Sequence, residues 1–410
     1  MPRSCVVVGA GVLGVCVAAS LAEAGAEVTL LEQAEPGQAA TRSSFAWLNS
    51  NDKTPRAYHD LNHAGMRAWA ELSRPAGVPP ADGAAPGNGS LPAGGALLPA
   101  GGAGHQAWYR PSGNLEWGAT AGQHQQLAAR VRRLTEWGYP AALIGAAAAA
   151  DLEPALQLPP PVTEVAWFPD EGYLLTEPMV AHMTALAAAR GATVLTGAAG
   201  RVVGIDAAGG AVHAVRTAAG QVIPADVVVC CAGRWAPQVA ALAGSACPVP
   251  LVPWSSPGAE APGLIVQAGP AAALTRMVHA PEVYLRPHSG GLVHLEAPDV
   301  TVDLHTPDAK LRDWAEELLR RARRVIRGLD GADVTGYRVC VRPMPADGRS
   351  IVGWLPGADG LYVAVTHSGV TLGAHLARLI TAEVTGRALA AELEPYRPGR
   401  FAVAGTRFLG

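Results

Sequence analysis

The N-terminal segment CVVVGAGVLG constrains the fold more than any other part of this 410-residue chain. Residues 5–8 form a short apolar run, typical of a strand that is buried on both faces. Gly9, Gly11 and Gly14 follow at the spacing G-x-G-x-x-G, which permits a tight turn, a close approach to a pyrophosphate, and close packing of a helix on the strand. The N-terminus of that helix would present free N–H groups and a partial positive charge to phosphates. The pattern predicts the start of a parallel α/β sheet that binds a dinucleotide.

An acidic residue ends the same unit. Gly25 is placed to end the helix, and EVTLLE is predicted to form the next strand, with Glu32 at its end. Glu32 lies 23 residues after Gly9, where a carboxylate can accept hydrogen bonds from both ribose hydroxyls. A carboxylate there would repel the 2′-phosphate of NADP, but it does not separate NAD from FAD. The strand–helix–strand context favours dinucleotide binding over a glycine-rich turn with a purely structural role.

Composition narrows the class of protein. At about 150 residues a domain, the length predicts two or three domains. The net charge of −3 gives no electrostatic reason to expect nucleic acid or an anionic membrane as a partner. Six cysteines occur without a C-x-x-C pair, which argues against a zinc site. Because the sequence shows neither a secretion signal nor an uninterrupted apolar run of about 18 residues, we expect a cytoplasmic protein with free thiols and no membrane span.

The rest of the chain alternates loops, helices and strands. Residues 41–51 are small and polar and are expected to form a loop over the cofactor, and a helix is predicted over 54–72. Residues 75–104 are so rich in Gly, Pro and Ala that we expect a flexible surface loop. A turn and helix around 169–190 lead into a β-meander and the buried strand VVVCC. The segment GLYVAVTHSGVTLGAH reads as strand, turn and helix, with a second helix N-terminus aimed at the cofactor.

Five later motifs follow the N-terminal unit in an order that one enzyme family shows: FPDEGYL, VVVCCAGRWAP, VYLRPHSGGLVHL, VRPMPADGRSIVG and VTHSGVTLGAH. The chain resembles the flavin amine and amino-acid oxidases of the D-amino-acid oxidase superfamily, especially the glycine oxidase and monomeric sarcosine oxidase branches. The resemblance covers nearly the whole chain outside residues 75–104. It implies an α/β fold in which a Rossmann-type FAD-binding domain is interleaved with an antiparallel-sheet substrate domain. We expect the FAD-binding domain at 1–74, 160–240 and 335–410, and the substrate domain at 105–159 and 241–334.

The resemblance also implies contacts to FAD from several parts of the chain. They are the N-terminal fingerprint, the loop after the second strand at the flavin edge, an A-G-x-W loop that lines the cofactor, and a C-terminal loop whose amides face the flavin pyrimidine. A single valine would meet the adenine through its backbone. In chain order these residues are Gly9, Gly11, Gly14, Glu32, Arg42, Ser43, Ser44, Val202, Gly233, Trp235, His367, Ser368, Gly369, Val370, Thr371 and Leu372. The C-terminal loop departs from the family at Thr366, where a glycine is usual.

Arg342 lies in the motif R-P-x-x-x-D-G, after alternating residues that predict a buried strand. In glycine oxidase-like members the arginine at this place holds the substrate carboxylate. A guanidinium offers a planar fork for bidentate binding and keeps its charge when buried. A buried arginine without a partner costs about 3–5 kcal/mol, so a carboxylate must compensate it. That carboxylate is either the substrate's or a protein acid such as Asp347 or Glu296.

Cys340 lies seven residues before Asp347, the spacing at which sarcosine oxidase-like members attach their flavin covalently. A thiolate near the 8α-methyl group of the flavin could form that thioether. The chain also carries the arginine of the glycine oxidase-like members, which bind FAD without a covalent link. We therefore expect non-covalent FAD and a buried, inert Cys340, with a covalent flavin as the alternative.

Three further residues are candidates for the pocket. His294, in GLVHLE, matches the strand position where sarcosine oxidase-like members carry a lysine that assists the reaction with oxygen. A histidine there could supply positive charge or orient the substrate, or it could be a structural residue whose hydrogen bonds are satisfied. Tyr284 and Arg286, in VYLRP, lie on the same predicted strand pair and could also line the pocket.

The function that the resemblance implies is oxidation of an amine or amino acid at a C–N bond next to a carboxylate. Arg342 would fix the carboxylate so that a hydride passes from the α-carbon of the neutral amine to flavin N5, giving an imine. Oxygen or another electron acceptor would reoxidise the flavin. Two alternatives are an NAD-dependent dehydrogenase, for which the C-terminal unit has no clear use, and a non-catalytic flavin-binding subunit of a larger dehydrogenase.

Overall fold

The computed structural model describes residues 3–74, 105–271 and 273–402, so the predicted flexible loop at 75–104 lies outside the described residues. Within these ranges the chain forms eight α-helices and twenty β-strands. The helices are α1 Val12–Glu23, α2 Arg56–Leu72, α3 Ala121–Glu136, α4 Ala146–Leu152, α5 Thr176–Ala189, α6 Ala236–Leu242, α7 Asp308–Val325 and α8 Gly369–Val384. The strands are β1 Ser4–Val8, β2 Glu27–Glu32, β3 Trp47–Leu48, β4 Tyr109–Arg110, β5 Asn114–Glu116, β6 Ala142–Gly145, β7 Glu164–Phe168, β8 Gly172–Leu174, β9 Thr193–Thr196, β10 Val202–Ala208, β11 Ala211–Thr217, β12 Val222–Pro224, β13 Val227–Cys230, β14 Pro262–Gly269, β15 Met277–Ala280, β16 Val283–His288, β17 Leu292–Glu296, β18 Asp333–Val341, β19 Ile351–Trp354 and β20 Leu361–Val365.

A six-stranded sheet carries the N-terminal unit, with the strand order β19-β20-β13-β1-β2-β9. All neighbours run parallel except β19, which pairs antiparallel with β20. β1 lies inside this sheet and residues 5–8 are buried, because strands of a parallel sheet are covered on both faces. Helix α1 packs against β1 and β2 and also contacts α5 and α8. The strand, turn, helix and strand predicted from the first motif are confirmed.

The close packing of helix on strand depends on Gly14. A Cβ atom built on Gly14 would lie 1.8 Å from the carbonyl oxygen of Gly9, a distance that no carbon atom can tolerate. Gly9 itself has a φ of +99°, and a Cβ there would lie 2.7 Å from the carbonyl oxygen of Cys231. Only glycine therefore fits at either end of this turn.

An eight-stranded sheet forms the second layer, with the order β18-β14-β17-β16-β15-β5-β7-β6. Its neighbours are antiparallel except β15 and β5. Along β14, Leu264 and Val266 share one hydrophobic core with Leu318 and Leu319 of α7, whereas Ile265 belongs to the core of the first sheet. Because successive side chains of a strand point to opposite faces, α7 packs on one face of this sheet and the other face lies toward the first sheet.

The eight-stranded sheet includes two strands from segments that were expected to belong to the FAD-binding domain. β7 and β18 pair within the eight-stranded sheet, although the expected segments 160–240 and 335–410 would place most of each strand in the FAD-binding domain. Alternating apolar residues reveal a strand but not its partner, since pairing is decided by residues far away in the chain. We propose that the boundaries between the two domains lie after Phe168 and after Val341.

Smaller features agree with the sequence. Strands β10, β11 and β12 form the predicted meander, and β3, β8 and β4 form a further three-stranded sheet. All six cysteines are free and buried. In the described part of the chain, the helices are too short or too polar for any of them to cross a bilayer.

Candidate active site

A cleft of about 620 Å³ lies where the carboxyl ends of β1, β2 and β20 face the eight-stranded sheet. Open α/β sheets bind ligands at this edge, because the turns after parallel strands meet there. From the second sheet, Ile265, Tyr284 and Glu296 complete the wall of the cleft. The cleft therefore combines the N-terminal glycine turn with residues of the predicted substrate domain.

The glycine turn forms one end of the cleft. Gly9 and Gly11 line it, and Gly11 is the residue that precedes α1. The Val12 N–H donates a hydrogen bond to Thr41 Oγ1 at 3.0 Å, which ties the loop after β2 to the start of α1. Gly14 is absent from the lining among the described residues, and its contribution is the close helix–strand packing.

Glu32 is held in place by the backbone around it. Its Oε2 accepts a hydrogen bond from Ala10 N–H at 2.8 Å, and its Oε1 accepts one from Ala34 N–H at 3.0 Å. These bonds fix the carboxylate at the wall of the cleft, where its remaining lone pairs can accept from ribose hydroxyls. Val202, which was expected to meet the adenine, lines the same cleft.

The A-G-x-W loop brings a cation and two indole rings to the cleft. Gly233 and Trp235 line it, and the Arg234 guanidinium lies 4.0 Å from the Trp235 ring centroid and 5.0 Å from that of Trp254. Burial lowers the pKa of the Arg234 guanidinium, and nearby Cys340 acts in the opposite direction. Stacking on two aromatic faces compensates part of that burial.

The C-terminal loop reaches the cleft. His367, Ser368, Gly369, Val370 and Thr371 line the cleft, while Leu372 is fully buried in the core behind it.

Thr366, the departure from the family, has a structural role in this loop. Its Oγ1 accepts hydrogen bonds from Ser350 Oγ at 2.8 Å and from Ser368 N–H at 3.1 Å. A glycine could make neither bond, so the threonine fixes the loop through its side chain.

The loop after β2 contributes less than expected. Only Ser44 of the three candidates lines the cleft, and its Oγ accepts a hydrogen bond from Ala46 N–H at 2.9 Å. Arg42 forms a half-exposed ion pair with Glu177 at 2.6 Å, and the Ser43 hydroxyl donates to Ala39 O at 3.1 Å. Neither residue has its side chain in the cleft wall as described.

The residues present fit FAD. Gly9 permits the tight turn with its φ of +99°, and Gly11 lines the cleft without a side chain, so a pyrophosphate can approach the backbone there. Glu32 is oriented for a ribose, and the C-terminal loop places the N-terminus of α8 at the same cleft. Both halves of a dinucleotide therefore have matching partners.

Arg342 faces the cleft rather than the interior of a strand. β18 ends at Val341, and the Arg342 side chain is exposed at the cleft wall. Its Nε donates to Ala261 O at 3.3 Å, and no carboxylate of the described residues lies within 4.0 Å of it. Asp347, one of the two acids considered as its partner, instead binds Arg400 at 2.8 Å.

Two ionisable residues of the cleft were not proposed as site residues from the sequence. Lys53 lines the cleft, and burial lowers the pKa of its ammonium group, with Arg342 adding to the effect and Asp52 and Glu171 opposing it. Glu296, considered only as a protein partner for Arg342, lines the cleft as well. The rarity of lysine could have singled out Lys53, because it is one of two lysines among 31 basic residues.

Tyr284 and Cys340 lie at the cleft as expected. Tyr284 pairs in register with Glu296, and burial raises the pKa of its hydroxyl to about 12, so it remains a hydrogen-bond donor. The Cys340 thiol lies 3.7 Å from the carbonyl oxygen of Ala40, and burial raises the pKa of that thiol. Both residues are therefore neutral at neutral pH.

His294 and Arg286 form a hydrogen bond with each other, and neither is in the lining of the cleft as described. Arg286 Nη2 donates to His294 Nδ1 at 2.7 Å, and the Arg286 Nε donates to the carbonyl oxygen of Phe45 at 2.5 Å. The His294 ring stacks on His288 with centroids 4.1 Å apart. Burial and the charge of Arg286 lower the pKa of His294, which is therefore neutral. This arrangement supports the structural alternative for His294.

Comparisons with known proteins identify the family of this chain. The family model "FAD dependent oxidoreductase" (DAO) matches residues 4–383. The uncharacterized oxidoreductase YurR of Bacillus subtilis (strain 168) is 24% identical over 407 residues, covering 97% of this chain and 98% of that protein. Glycine oxidase from Geobacillus kaustophilus superposes with a TM-score of 0.77 at 20% identity, covering all of both chains. L-proline dehydrogenase from P. horikoshii superposes with a TM-score of 0.78 at 18% identity, covering 98% of this chain and 99% of that one. The chain belongs to the DAO family of FAD-dependent oxidoreductases.

Proposed function

We propose that the protein oxidises an amine or amino acid at a C–N bond next to a carboxylate, with hydride transfer to flavin N5 and an imine as product. The observation that carries the proposal is Arg342, a guanidinium at the cleft with no carboxylate of the described residues within 4.0 Å. FAD and a substrate would cover this cleft and remove water from the guanidinium. A carboxylate on the substrate would then compensate its charge.

Bound FAD supplies the redox chemistry, and the chain supplies position and charge. Arg342 holds the substrate carboxylate through two parallel hydrogen bonds, which fixes the α-carbon relative to the cofactor. Tyr284 remains protonated and offers a further donor from β16. Ile265 and Trp47 line the same cleft and contribute apolar surface to its wall.

The related proteins support the same substrate class. Glycine and L-proline, the amino acids in the names of two structural relatives, both carry an amine and a carboxylate on one carbon. One relative is called an oxidase and the other a dehydrogenase, so both oxygen and another acceptor are candidates for reoxidation of the flavin. The family assignment gives FAD in place of the NAD-dependent alternative.

Product analysis tests this proposal. The purified holoenzyme is incubated in air, and separately with an artificial electron acceptor, with a panel of amino acids and N-alkyl amino acids. Each is paired with the amine that lacks its carboxylate. We expect an oxo acid or its imine from at least one carboxylate-bearing member and none from its partner. Equal turnover of the paired amines would contradict a role for Arg342, and no turnover at all would favour the non-catalytic flavin-binding subunit.

The link between protein and flavin gives a separate prediction. Because burial keeps the Cys340 thiol protonated, we expect FAD to be bound without a covalent bond. Acid precipitation should leave the flavin absorbance in the supernatant, and the Cys340→Ser variant should give the same spectrum. A yellow pellet from the wild type and a colourless one from that variant would show a covalent flavin at Cys340.

A further inference from the structure

Glu296 occupies the wall of the cofactor cleft close to Arg342. It is the last residue of β17, and it pairs in register with Tyr284 on β16. Its Oε1 lies 4.0 Å from the position that a Cβ atom on Gly263 of β14 would take. Arg342 is close enough to act on the charge of Glu296, yet farther than 4.0 Å from its oxygens.

Glu296 differs from the other acids around it in lacking a protein partner. Glu171, next to the cleft, accepts hydrogen bonds from Tyr139, Trp47 and Asn114. Glu116, on the same face of the sheet, pairs with Arg130. Among the described residues, nothing donates a hydrogen bond to Glu296 and no cation lies within 4.0 Å of it.

We propose that Glu296 binds the amino group of the substrate and takes one proton from it while Arg342 holds the carboxylate. This inference rests on the proposed function. The two charges match those of a zwitterionic amino acid, whose ammonium and carboxylate groups lie on one carbon. A partly buried carboxylate without a protein donor gains a charge-assisted hydrogen bond from such a ligand.

The proton transfer follows from the chemistry of the amine. An amino group enters the cleft as R–NH3+, which has no lone pair to support loss of hydride from the α-carbon. One proton passes to the Glu296 carboxylate, so the products are R–NH2 and a carboxylic acid. Nothing is oxidised or reduced in this step. A general base is most efficient when its pKa lies near the pH at which the enzyme works.

The groups that face Glu296 are consistent with such a base. Burial raises the pKa of Glu296, and the charge of Arg342 opposes that shift. From β16 it faces Tyr284, and from β18 it faces Cys340, both neutral because burial raises their pKa values. β14 contributes only uncharged residues, Gly263 and Ile265, to this part of the cleft.

The test uses two ligands that differ only at the amino group. 2-Aminoisobutyrate and pivalate have the same shape, with an ammonium in one where the other has a methyl group. Neither has a hydrogen on the α-carbon, so neither can be oxidised there. Binding to the holoenzyme is measured from the perturbation of the flavin spectrum, in the wild type and in Glu296→Gln, Glu296→Asp and Arg342→Lys.

We expect Glu296→Gln to weaken 2-aminoisobutyrate about 10- to 100-fold, while pivalate binds as before or more tightly because a negative charge near Arg342 is gone. Glu296→Asp should restore part of the preference for the amine, and Arg342→Lys should weaken both ligands. Equal effects of Glu296→Gln on the two ligands would overturn the inference. So would a wild type that does not prefer 2-aminoisobutyrate, even where Arg342→Lys still weakens pivalate and so leaves the proposed function intact. A wild type that binds neither ligand would overturn both.

The pH dependence of 2-aminoisobutyrate binding gives a second readout. As pH falls through the raised pKa of Glu296, the carboxylate is protonated and the amine loses its partner, so binding weakens toward acid pH. Glu296→Gln should remove this acid limb. An acid limb that persists unchanged in the variant would contradict the role of Glu296.

Discussion

Replacing Arg342 with lysine is expected to lower kcat/KM for carboxylate-bearing amines about 100-fold, which corresponds to about 2.7 kcal/mol of lost transition-state stabilisation. Lysine keeps the charge but loses the planar fork that binds both carboxylate oxygens. The amine would then be held less firmly, and its α-carbon would be misplaced relative to the cofactor. Steady-state kinetics with the best substrate of the wild type measures this effect.

A matched control is available four residues earlier in the chain. Arg338 lies on β18, and its side chain is exposed and is absent from the lining of the cleft as described. Arg338→Lys should change kcat/KM by less than about threefold, because surface charges away from a site contribute little. Wild-type kinetics in Arg342→Lys, or an equal loss in both variants, would contradict the assignment of Arg342 to the substrate carboxylate.

Replacing Gly14 with alanine is expected to abolish FAD binding. The new methyl group would lie 1.8 Å from the carbonyl oxygen of Gly9, and 2.9 Å from its carbonyl carbon. The obstacle is backbone, so α1 must move away from β1, at a cost of about 3 kcal/mol, the upper end of the usual range for overpacking. The turn that approaches the pyrophosphate moves with it. The ratio of flavin to protein absorbance and the midpoint of thermal unfolding measure the two effects.

Gly122→Ala provides the comparison for this change. Gly122 is also a helical glycine, near the start of α3, but the nearest atom to a Cβ there is Thr120 Oγ1 at 4.0 Å. Alanine should therefore alter stability by less than about 1 kcal/mol, in the stabilising direction, and should leave the flavin content unchanged. A Gly14→Ala protein with a full complement of FAD and the wild-type unfolding midpoint would show that the turn tolerates a side chain.

The parts of the fold that follow local signals could be predicted from the sequence. The apolar run, the three glycines and Glu32 lie within one short segment, and each acts on its neighbours in the chain. The alternation around Cys340 predicted a strand, since side-chain direction reverses at every residue. The alternation did not reveal that the strand ends at Val341, which leaves Arg342 at the cleft rather than inside the sheet.

The side-chain partners could not be predicted, because they lie far away in the sequence. Arg42 lies in the predicted cofactor loop, but Glu177, at the start of α5, forms an ion pair with it. His294 and Glu296 share one face of β17, so strand alternation alone does not tell which of them reaches the pocket. The register of β16 decides between them: it places Arg286 opposite His294, where the two bond, and Tyr284 opposite Glu296.

Anaerobic titration of the holoenzyme with amino acids tests the central claim most directly. The flavin absorbance is followed while each amino acid, and then the amine without its carboxylate, is added in the absence of oxygen. We predict that at least one amino acid bleaches the flavin of the wild type, that its decarboxylated partner does so far more slowly, and that Arg342→Lys removes this difference. A flavin that no amino acid reduces, or that both partners reduce at the same rate, would contradict oxidation of a C–N bond next to a carboxylate held by Arg342.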